Sequence, residues 1–562
     1  MPKITIDGIQ YDFNPGETII QIASRNGIEI PHYCWHPRLS VSGNCRMCLV
    51  EVEKMPKLVI ACATQAMDGM VVHTKSEKAI KGREHVMEFL LINHPLDCPI
   101  CDEAGECKLQ EYAYEHGTGV SRFIEEKVHK PKRVKLGPYV MFDAERCISC
   151  SRCIRFSKEI AKADQLTFVQ RGDRVTIETF PGKQFDNPYS LNVVDICPVG
   201  ALTNIDFRFK ARVWEMSATK SICIGCARGC NIDIWVRNNE ILRLTPRFNE
   251  QVNDYWMCDH GRINTFKFVN ADDRIDGPFV KKNGELDSCN WDEAISKTSS
   301  ELRRFKSNEI AVIASPFATL EDNYALLKFS RQILKTDNLF YIPHIKPGDQ
   351  DDILIREDKT PNSTGLKLLG INESKNGLSL ETLAEKINSK MIKCLVVVED
   401  DPIAIKPELK DAFQNLDCLI VFATNKNKTT ELADILFPAA TYAEKNGVFV
   451  NFQGFVQRIR PAVATIDMDR SLDGLAQSRW DKFGTEFDKW ARGKKVNARS
   501  SWKIISQIAS SMGGKFDYDT SEDVFIEITQ YIRELANLDY ETIGETGYKI
   551  QSSKLTEEKI LV

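Results

Sequence analysis

No apolar run in the 562 residues approaches the ~18–20 residues that a bilayer crossing requires. The longest are short stretches such as Cys394–Val398 and Cys418–Ala423, so membrane contact is expected only through other subunits. A basic excess is missing too: 74 Lys and Arg against 79 Asp and Glu leave a formal charge of −5. With no surplus to neutralise phosphates, nucleic acid is not an expected partner. Neither a G-x-G-x-x-G nor a Walker A pattern occurs, so nothing signals dinucleotide or nucleotide binding. No leader is expected, because Lys3–Ile6 already reads as a strand. Cysteine is scarce in one half only: the 304 residues after Cys258 hold just Cys289, Cys394 and Cys418.

The other 15 of the 18 cysteines lie between Cys34 and Cys258, which marks a metal-bearing N-terminal half. A disulfide framework belongs to short secreted chains, and this chain has the 43% hydrophobic and 27% charged composition of a large globular protein. At ~100–200 residues per domain, about three to five domains are expected.

The first group is Cys34-x10-Cys45-x2-Cys48-x13-Cys62. Ahead of it Lys3–Phe13 alternates around an Asp7-Gly8 turn, Thr18–Arg25 has helical apolar spacing, and Asn26-Gly27 is a C-cap signal. Strand, strand, helix, cysteine loop is the order of a β-grasp ferredoxin. Four thiolates there suit a 2Fe-2S cluster, with structural zinc the alternative. Gly43 is expected to let backbone N–H groups approach the cluster. The second group, His94-x3-Cys98-x2-Cys101-x5-Cys107, follows a helix expected around Ile80–Ile92 that His94-Pro95 breaks. It equally describes a zinc knuckle, and its neighbours favour iron-sulfur. His94 is then a neutral ligand that raises the potential, as histidine does in Rieske centres.

The third group is the most specific. Cys147-x2-Cys150-x2-Cys153 opens like the bacterial run C-x2-C-x2-C-x3-C-P, with Ser157 in the fourth place. Counting back from Cys197-Pro198 puts Asn187, Ser190 and Val193 where a second half-site would have cysteines. One 4Fe-4S set therefore remains, Cys147, Cys150, Cys153 and the crossover ligand Cys197, on a ferredoxin-like unit. The fourth group, Cys223-x2-Cys226-x3-Cys230-x27-Cys258, is another 4Fe-4S set. The four groups use all 15 clustered cysteines and one histidine.

This succession resembles the large iron-sulfur subunit of NADH:quinone oxidoreductase, respiratory complex I. Trp291-Asp292-Glu293-Ala294, Ala433–Thr441 and Glu444-Lys445-Asn446-Gly447-Val448-Phe449-Val450-Asn451 are similar to molybdopterin-oxidoreductase motifs. The resemblance implies a conductor that relays single electrons from a flavin- and NADH-binding subunit toward the quinone module. It implies one 2Fe-2S and three 4Fe-4S clusters, no molybdenum, flavin or NAD on this chain, and no catalytic residue of its own. Its implied partners are other peripheral-arm subunits, and the membrane arm indirectly, on the cytoplasmic side of a bacterial inner membrane. The fourth cluster is implied to lie off the line joining flavin to quinone. The alternatives are a molybdopterin-dependent, formate-dehydrogenase-like catalytic subunit and an iron-only hydrogenase. His260 stands where the molybdenum enzymes usually have lysine, and the erased second ferredoxin site and three scattered C-terminal cysteines count against both.

The expected architecture is multidomain α+β and α/β: residues 1–79 a β-grasp 2Fe-2S domain, 80–125 a small helical one-His, three-Cys segment, 126–218 a ferredoxin-like unit, 219–273 a 4Fe-4S domain of molybdopterin-oxidoreductase type, 274–516 a molybdopterin-oxidoreductase-like α/β domain, and 517–562 a polar tail. Glu309–Ala314, Cys394–Val398 and Cys418–Ala423 read as buried strands and Leu320–Leu334 as a helix. Cys394 and Cys418 are expected in the core as small hydrophobes, and Cys289 in a polar connection.

Overall fold

A computed structural model describes residues 1–470 and 493–550 and divides the chain into two units, Met1–Glu215 and Met216–Val562. The first unit opens with β1 (Lys3–Ile6) and β2 (Ile9–Asp12), joined through Asp7 and Gly8 at φ 48° and 85°. Two consecutive left-handed residues are what a tight hairpin with the native strand twist demands, and Asp-Gly supplies them at low cost. With β3 (Leu49–Val52), β4 (Val59–Ile60) and β5 (Met70–His73) they form a mixed sheet in the order β2-β1-β5-β3-β4, with β1 and β5 parallel. The helix Ile19–Arg25 starts at a Thr18/Gln21 capping box and buries Ile19, Ile20, Ile22 and Ala23 against Ile4, Ile6, Val50 and Val72. This β-grasp core holds the first cysteine loop at its edge.

The next helix, Glu77–Ile92, begins three residues before the expected start because Ser76 caps it, accepting from the Ala79 N–H at 3.2 Å. The ferredoxin-like part has a sheet of β6 (Val134–Lys135), β7 (Val140–Phe142) and β10 (Leu202–Asn204), and a hairpin of β8 (Leu166–Val169) and β9 (Thr176–Thr179). The positions read as an erased second site, Ser157, Asn187, Ser190 and Val193, are all buried. Ser157 Oγ accepts from the Gln165 N–H at 3.1 Å, and Asn187 Nδ2 donates to Gln165 Oε1 at 2.8 Å. A hydrogen-bonded polar plug thus occupies that region of the unit.

In the second unit β11 (Ser217–Ile222), β12 (Asn231–Arg237) and β13 (Glu240–Pro246) form an antiparallel sheet. A seven-stranded sheet follows, built from β14 (Phe279–Lys282), β15 (Glu285–Ser288), β16 (Ile310–Ala314), β17 (Leu339–Tyr341), β18 (Cys394–Val398), β19 (Cys418–Ala423) and β20 (Ile435–Pro438), in the order β15-β14-β20-β19-β18-β16-β17. Its central strands are parallel and buried on both faces. Val312, Val396, Ile420 and Phe437 pack on one side, and Ile313, Val397, Val421 and Leu436 on the other. That two-faced burial is why these strands read as unbroken apolar runs. Cys394 and Cys418 are register partners inside this core. The expected helix from Leu320 is α-helical to Lys328 and widens into a π turn over Phe329–Ile333. Cys289 is half-buried beside the Pro278 carbonyl.

The expected polar tail is corrected for its described part. The helix Ser521–Tyr531 buries Val524, Phe525 and Ile528 in the main core, and the Tyr540 hydroxyl donates to buried Glu321 at 2.8 Å. β21 (Gly447–Val450) pairs with β22 (Phe455–Ile459), and β22 with β23 (Tyr548–Lys549). Val524, Phe525 and Ile528 share one covered edge while Ile526 and Tyr531 on the same helix are exposed, so the apolar period is weak although the edge is fully buried. Residues 551–562 lie outside the described part. Phe525→Ala should cost ~3–5 kcal/mol by emptying a packed site, lowering the urea midpoint of the C-terminal unit. A change under ~1 kcal/mol, the scale of a surface substitution, would place this helix outside the core.

Candidate metal centres

The first set sits on loops leaving the β-grasp sheet, with Cys34, Cys48 and Cys62 buried and Cys45 half-buried. The Cys34 N–H points at Cys45 Sγ at 3.4 Å. The Cys34 thiol touches those of Cys45 and Cys62, and Cys48 touches Cys62. Mutual contact splits their acidities: Cys34 and Cys48 are pushed down, chiefly by donation from neighbouring thiols, while Cys45 and Cys62 are pushed up. Gly43 lies at φ 65°, and a Cβ there would meet Ile60 Cδ1 at 3.1 Å. The constraints visible at Gly43 are turn geometry and packing on Ile60, and the backbone of the next residue, Asn44, bonds the Cys34 sulfur.

The second set lines one cavity: His94, Cys98, Cys101 and Cys107, with Asp97, Gln110, Arg146 and Gly200 among its walls, Cys101 and Cys107 being buried and Cys98 exposed. Burial, then the charges of Arg146 and Lys127, lower the His94 pKa to about 4, so its imidazole is neutral at pH 7 and keeps a ligating lone pair. Burial lifts the thiols of Cys101 and of Cys107, the latter to about 11. Arg146 pairs with Asp97 at 3.1 Å and Asp143 at 3.4 Å, leaving its buried Nη1 without a partner. Gly200 contributes by lacking a side chain, since a Cβ would fall 2.3 Å from Cys101 Sγ.

The third set lines a second cavity, formed by Cys147, Cys150, Cys153 and Cys197 with Phe142, Ile177, Val199 and Leu202. Ser149 and Ser151, at φ 55° and 66°, wind the loop around it. Burial raises all four thiols, Cys147 to about 11. Arg152 also lines this cavity, and its buried Nε has no partner. The fourth set joins the β11–β12 connection to Cys258, which caps the helix Asp259–Asn264. Burial and mutual repulsion raise Cys223, Cys230 and Cys258, the last to about 12. A Cβ on Gly261 would meet Cys223 Sγ at 2.8 Å and Cys258 Sγ at 3.5 Å. His260 is exposed, its Nδ1 beside Asn264 Nδ2 at 3.0 Å.

Two cavities, each walled by one expected ligand set and each lined by an arginine that keeps a buried N–H without a protein acceptor, fit an anionic, sulfur-rich guest. Thiols raised by burial lose their protons when such a guest binds, which couples loading to proton release. Among the described residues no three His, Cys, Asp or Glu side chains close on one point as the ligands of a single ion would. Sequence reasoning misses Arg146, Arg152, Gly200 and Gly261, though three of them adjoin a ligand or lie within three residues of one and Arg152 stands inside a C-x2-C interval.

These segments define an iron-sulfur protein. Residues 2–77 match the 2Fe-2S iron-sulfur cluster binding domain, 83–122 the NADH-ubiquinone oxidoreductase-G iron-sulfur binding region, 137–203 the NADH-quinone oxidoreductase subunit 3 ferredoxin-like domain, and 216–265 the NADH-ubiquinone oxidoreductase NDSU1/NuoG-like 4Fe-4S domain. Residues 362–472 match molybdopterin oxidoreductase. The chain is similar to the G subunit of NADH-quinone oxidoreductase of Rickettsia bellii (strain RML369-C), 42% identical over 335 residues that cover 59% of this chain and 48% of the relative. The NADH-ubiquinone oxidoreductase 75 kDa subunit of Reclinomonas americana is 42% identical over 322 residues, 57% and 46% of the two chains. The chain spans about half the length of the curated relatives it matches. A solved chain of an NAD+-reducing NiFe-hydrogenase is 32% identical with a TM-score of 0.34, covering 38% of this chain and 91% of that one. No helix among the described residues is long and apolar enough to cross a membrane.

Gly200→Ala should perturb the second set, because the new methyl group overlaps Cys101 Sγ, although Gly200 follows a third-set ligand in sequence. EPR of the reduced protein should show the second cluster lost or altered and the first and fourth retained. Four unaltered signatures would mean that Cys101 does not ligate from its present position.

Proposed function

We propose that this chain is an electron-conducting subunit of NADH:quinone oxidoreductase, relaying single electrons from a flavin- and NADH-binding subunit toward the quinone module. Cys34, Cys45, Cys48 and Cys62 hold a 2Fe-2S cluster. His94, Cys98, Cys101 and Cys107 hold one 4Fe-4S cluster, Cys147, Cys150, Cys153 and Cys197 a second, and Cys223, Cys226, Cys230 and Cys258 a third. The observation that carries this reading is the pair of cavities walled by the second and third sets. Its place in the complex rests on the relatives' names and the order of the matched domains.

Bound clusters supply one-electron chemistry, with potentials set by ligand type, net charge, hydrogen bonds and solvent access. The protein's share is to hold, orient and exclude water. The neutral His94 ligand removes one negative charge from the second site. Arg146 and Arg152 add positive charge at the second and third. The apolar walls Phe142, Ile177 and Leu202 keep water from the third. The chain supplies no acid, base or nucleophile to this relay, and its docking is peripheral, against other subunits of the complex.

Metal analysis of anaerobically purified protein should give about 14 iron atoms per chain, counting four ligands to each cluster, with zinc and molybdenum near zero. Stoichiometric zinc would overturn the first two assignments, and stoichiometric molybdenum would favour the catalytic alternative. The isolated chain should not oxidise NADH. Calorimetrically tight NADH binding to it would refute the placement of that site on a partner.

A further inference from the structure

Two guanidinium groups lie between the first and third ligand sets without a direct ion pair to an acid among the described residues; Glu159 enters the network one step away, accepting from Ser40, whose carbonyl Arg155 meets. Arg155 donates from Nη2 to the Cys34 carbonyl and, at 3.4 Å, to the Cys150 carbonyl, so one nitrogen serves a ligand residue of each set. Its Nη1 donates to the Ser40 carbonyl and its Nε to Ser151 Oγ at 3.1 Å. Arg152 donates from Nη2 to the Trp35 carbonyl at 2.5 Å and from Nη1 to the Ile196 carbonyl at 3.1 Å. Trp35 adjoins Cys34, and Ile196 adjoins Cys197. Asn44 Nδ2 to the Ser149 carbonyl at 2.8 Å and Ser151 Oγ to Ser42 Oγ at 3.1 Å tie the same two loops together.

Every acceptor of the two arginines among the described residues is a neutral carbonyl or hydroxyl, and the two cations repel each other. Half-buried like charges without a counter-ion are unfavourable. The negative charge that faces both is the thiolate of the two ligand sets. We propose that Arg152 and Arg155 are positioning residues that clamp the first and third clusters at a fixed separation and, by their shared charge, raise the potentials of both. This rests on the cluster assignments proposed above. A cation beside a cluster favours its reduced, more negative form, and a fork with donors to both loops holds a geometry that a point charge does not. The pair makes the step between these two clusters a property of one bridge and ties their potentials together.

The test is an EPR-monitored redox titration of the full chain carrying its clusters, combined with power saturation of the first-set signal while the third cluster is reduced. In Arg155→Met the reduction equilibrium constants of the first and third clusters should both fall about tenfold, which is about 59 mV for a one-electron couple. The second and fourth should change less than threefold. A shift confined to one of the bridged clusters, or one of equal size at all four, would overturn the shared bridge. Arg155→Lys keeps the charge and loses the fork. It should leave both potentials within threefold of wild type and change the relaxation of the first-set signal at least twofold. Unchanged relaxation would overturn the clamp, and this variant decides the matter if Arg155→Met does not load. Wild-type protein lacking both signals would instead refute the proposed function, a result distinct from insensitive variants of loaded protein.

Discussion

The proposed sulfur ligands, buried or half-buried except for the exposed Cys98, impose the constraint on which the rest of this molecule depends. A thiolate set must face one point, out of water, while its negative charge is offset from within the protein. The backbone answers in the same way at separate sites. In Cys147-Ile148-Ser149-Cys150 and Cys223-Ile224-Gly225-Cys226 the N–H two residues after the first cysteine points at its Sγ at 3.4 Å, and Gly261 does so for Cys258. Amides aimed at sulfur are a fixed dipolar contribution to thiolate stability. They exist only because the loop turns tightly, which is why left-handed residues and glycines gather there.

The second answer is charge, and it shows how sequence and structure divide the information. The spacing of the proposed ligands stands out because cluster chemistry demands it locally, and the parallel strands are readable because burial on both faces makes their sequence apolar throughout. The arginine contacts are not. Arg155 reaches carbonyls 115 and 121 residues away in sequence, and no local pattern encodes which loop a long side chain will meet. Gly43 is legible in part: the left-handed turn and the contact with Ile60 come from packing, while the Asn44 backbone beside it bonds the Cys34 sulfur, as a glycine in a cysteine loop suggests. The segment after Asp517 reads wrongly as a tail because exposed Ile526 and Tyr531 blur the period of the helix edge that buries Val524, Phe525 and Ile528, and its further anchors, Leu535, Leu538, Tyr540 and Ile543, follow in short turns with no long periodic run.

The C-terminal unit raises a different question about motifs. Glu444-Lys445-Asn446-Gly447 suggests pterin enzymes, and the structure shows what these residues touch. Glu444 takes a bidentate pair from Arg274, both bonds 2.8 Å. Lys445, fully buried, lies 2.7 Å from Asp322 and 2.8 Å from Glu399. Asp322 also accepts from the Trp502 N–H, and Glu399 from the Ser501 hydroxyl. A Cβ on Gly447 would meet Thr319 Cγ2 at 2.5 Å. The motif therefore joins the end of the parallel sheet to the helices Leu320–Lys328 and Ser501–Ser511.

Replacing one member of such a network leaves an uncompensated buried charge, at a cost of ~3–5 kcal/mol. The residues of Glu444 and Lys445 type are thus held in place by folding whatever the unit binds. Glu444 and Lys445 are satisfied inside the domain, so the charged part of the motif reports on architecture, whereas Thr441 Oγ1 of the adjoining Ala433–Thr441 motif is buried without a hydrogen-bond partner. Arg146 and Arg152 likewise keep buried N–H groups unpartnered among the residues that line the second and third sets.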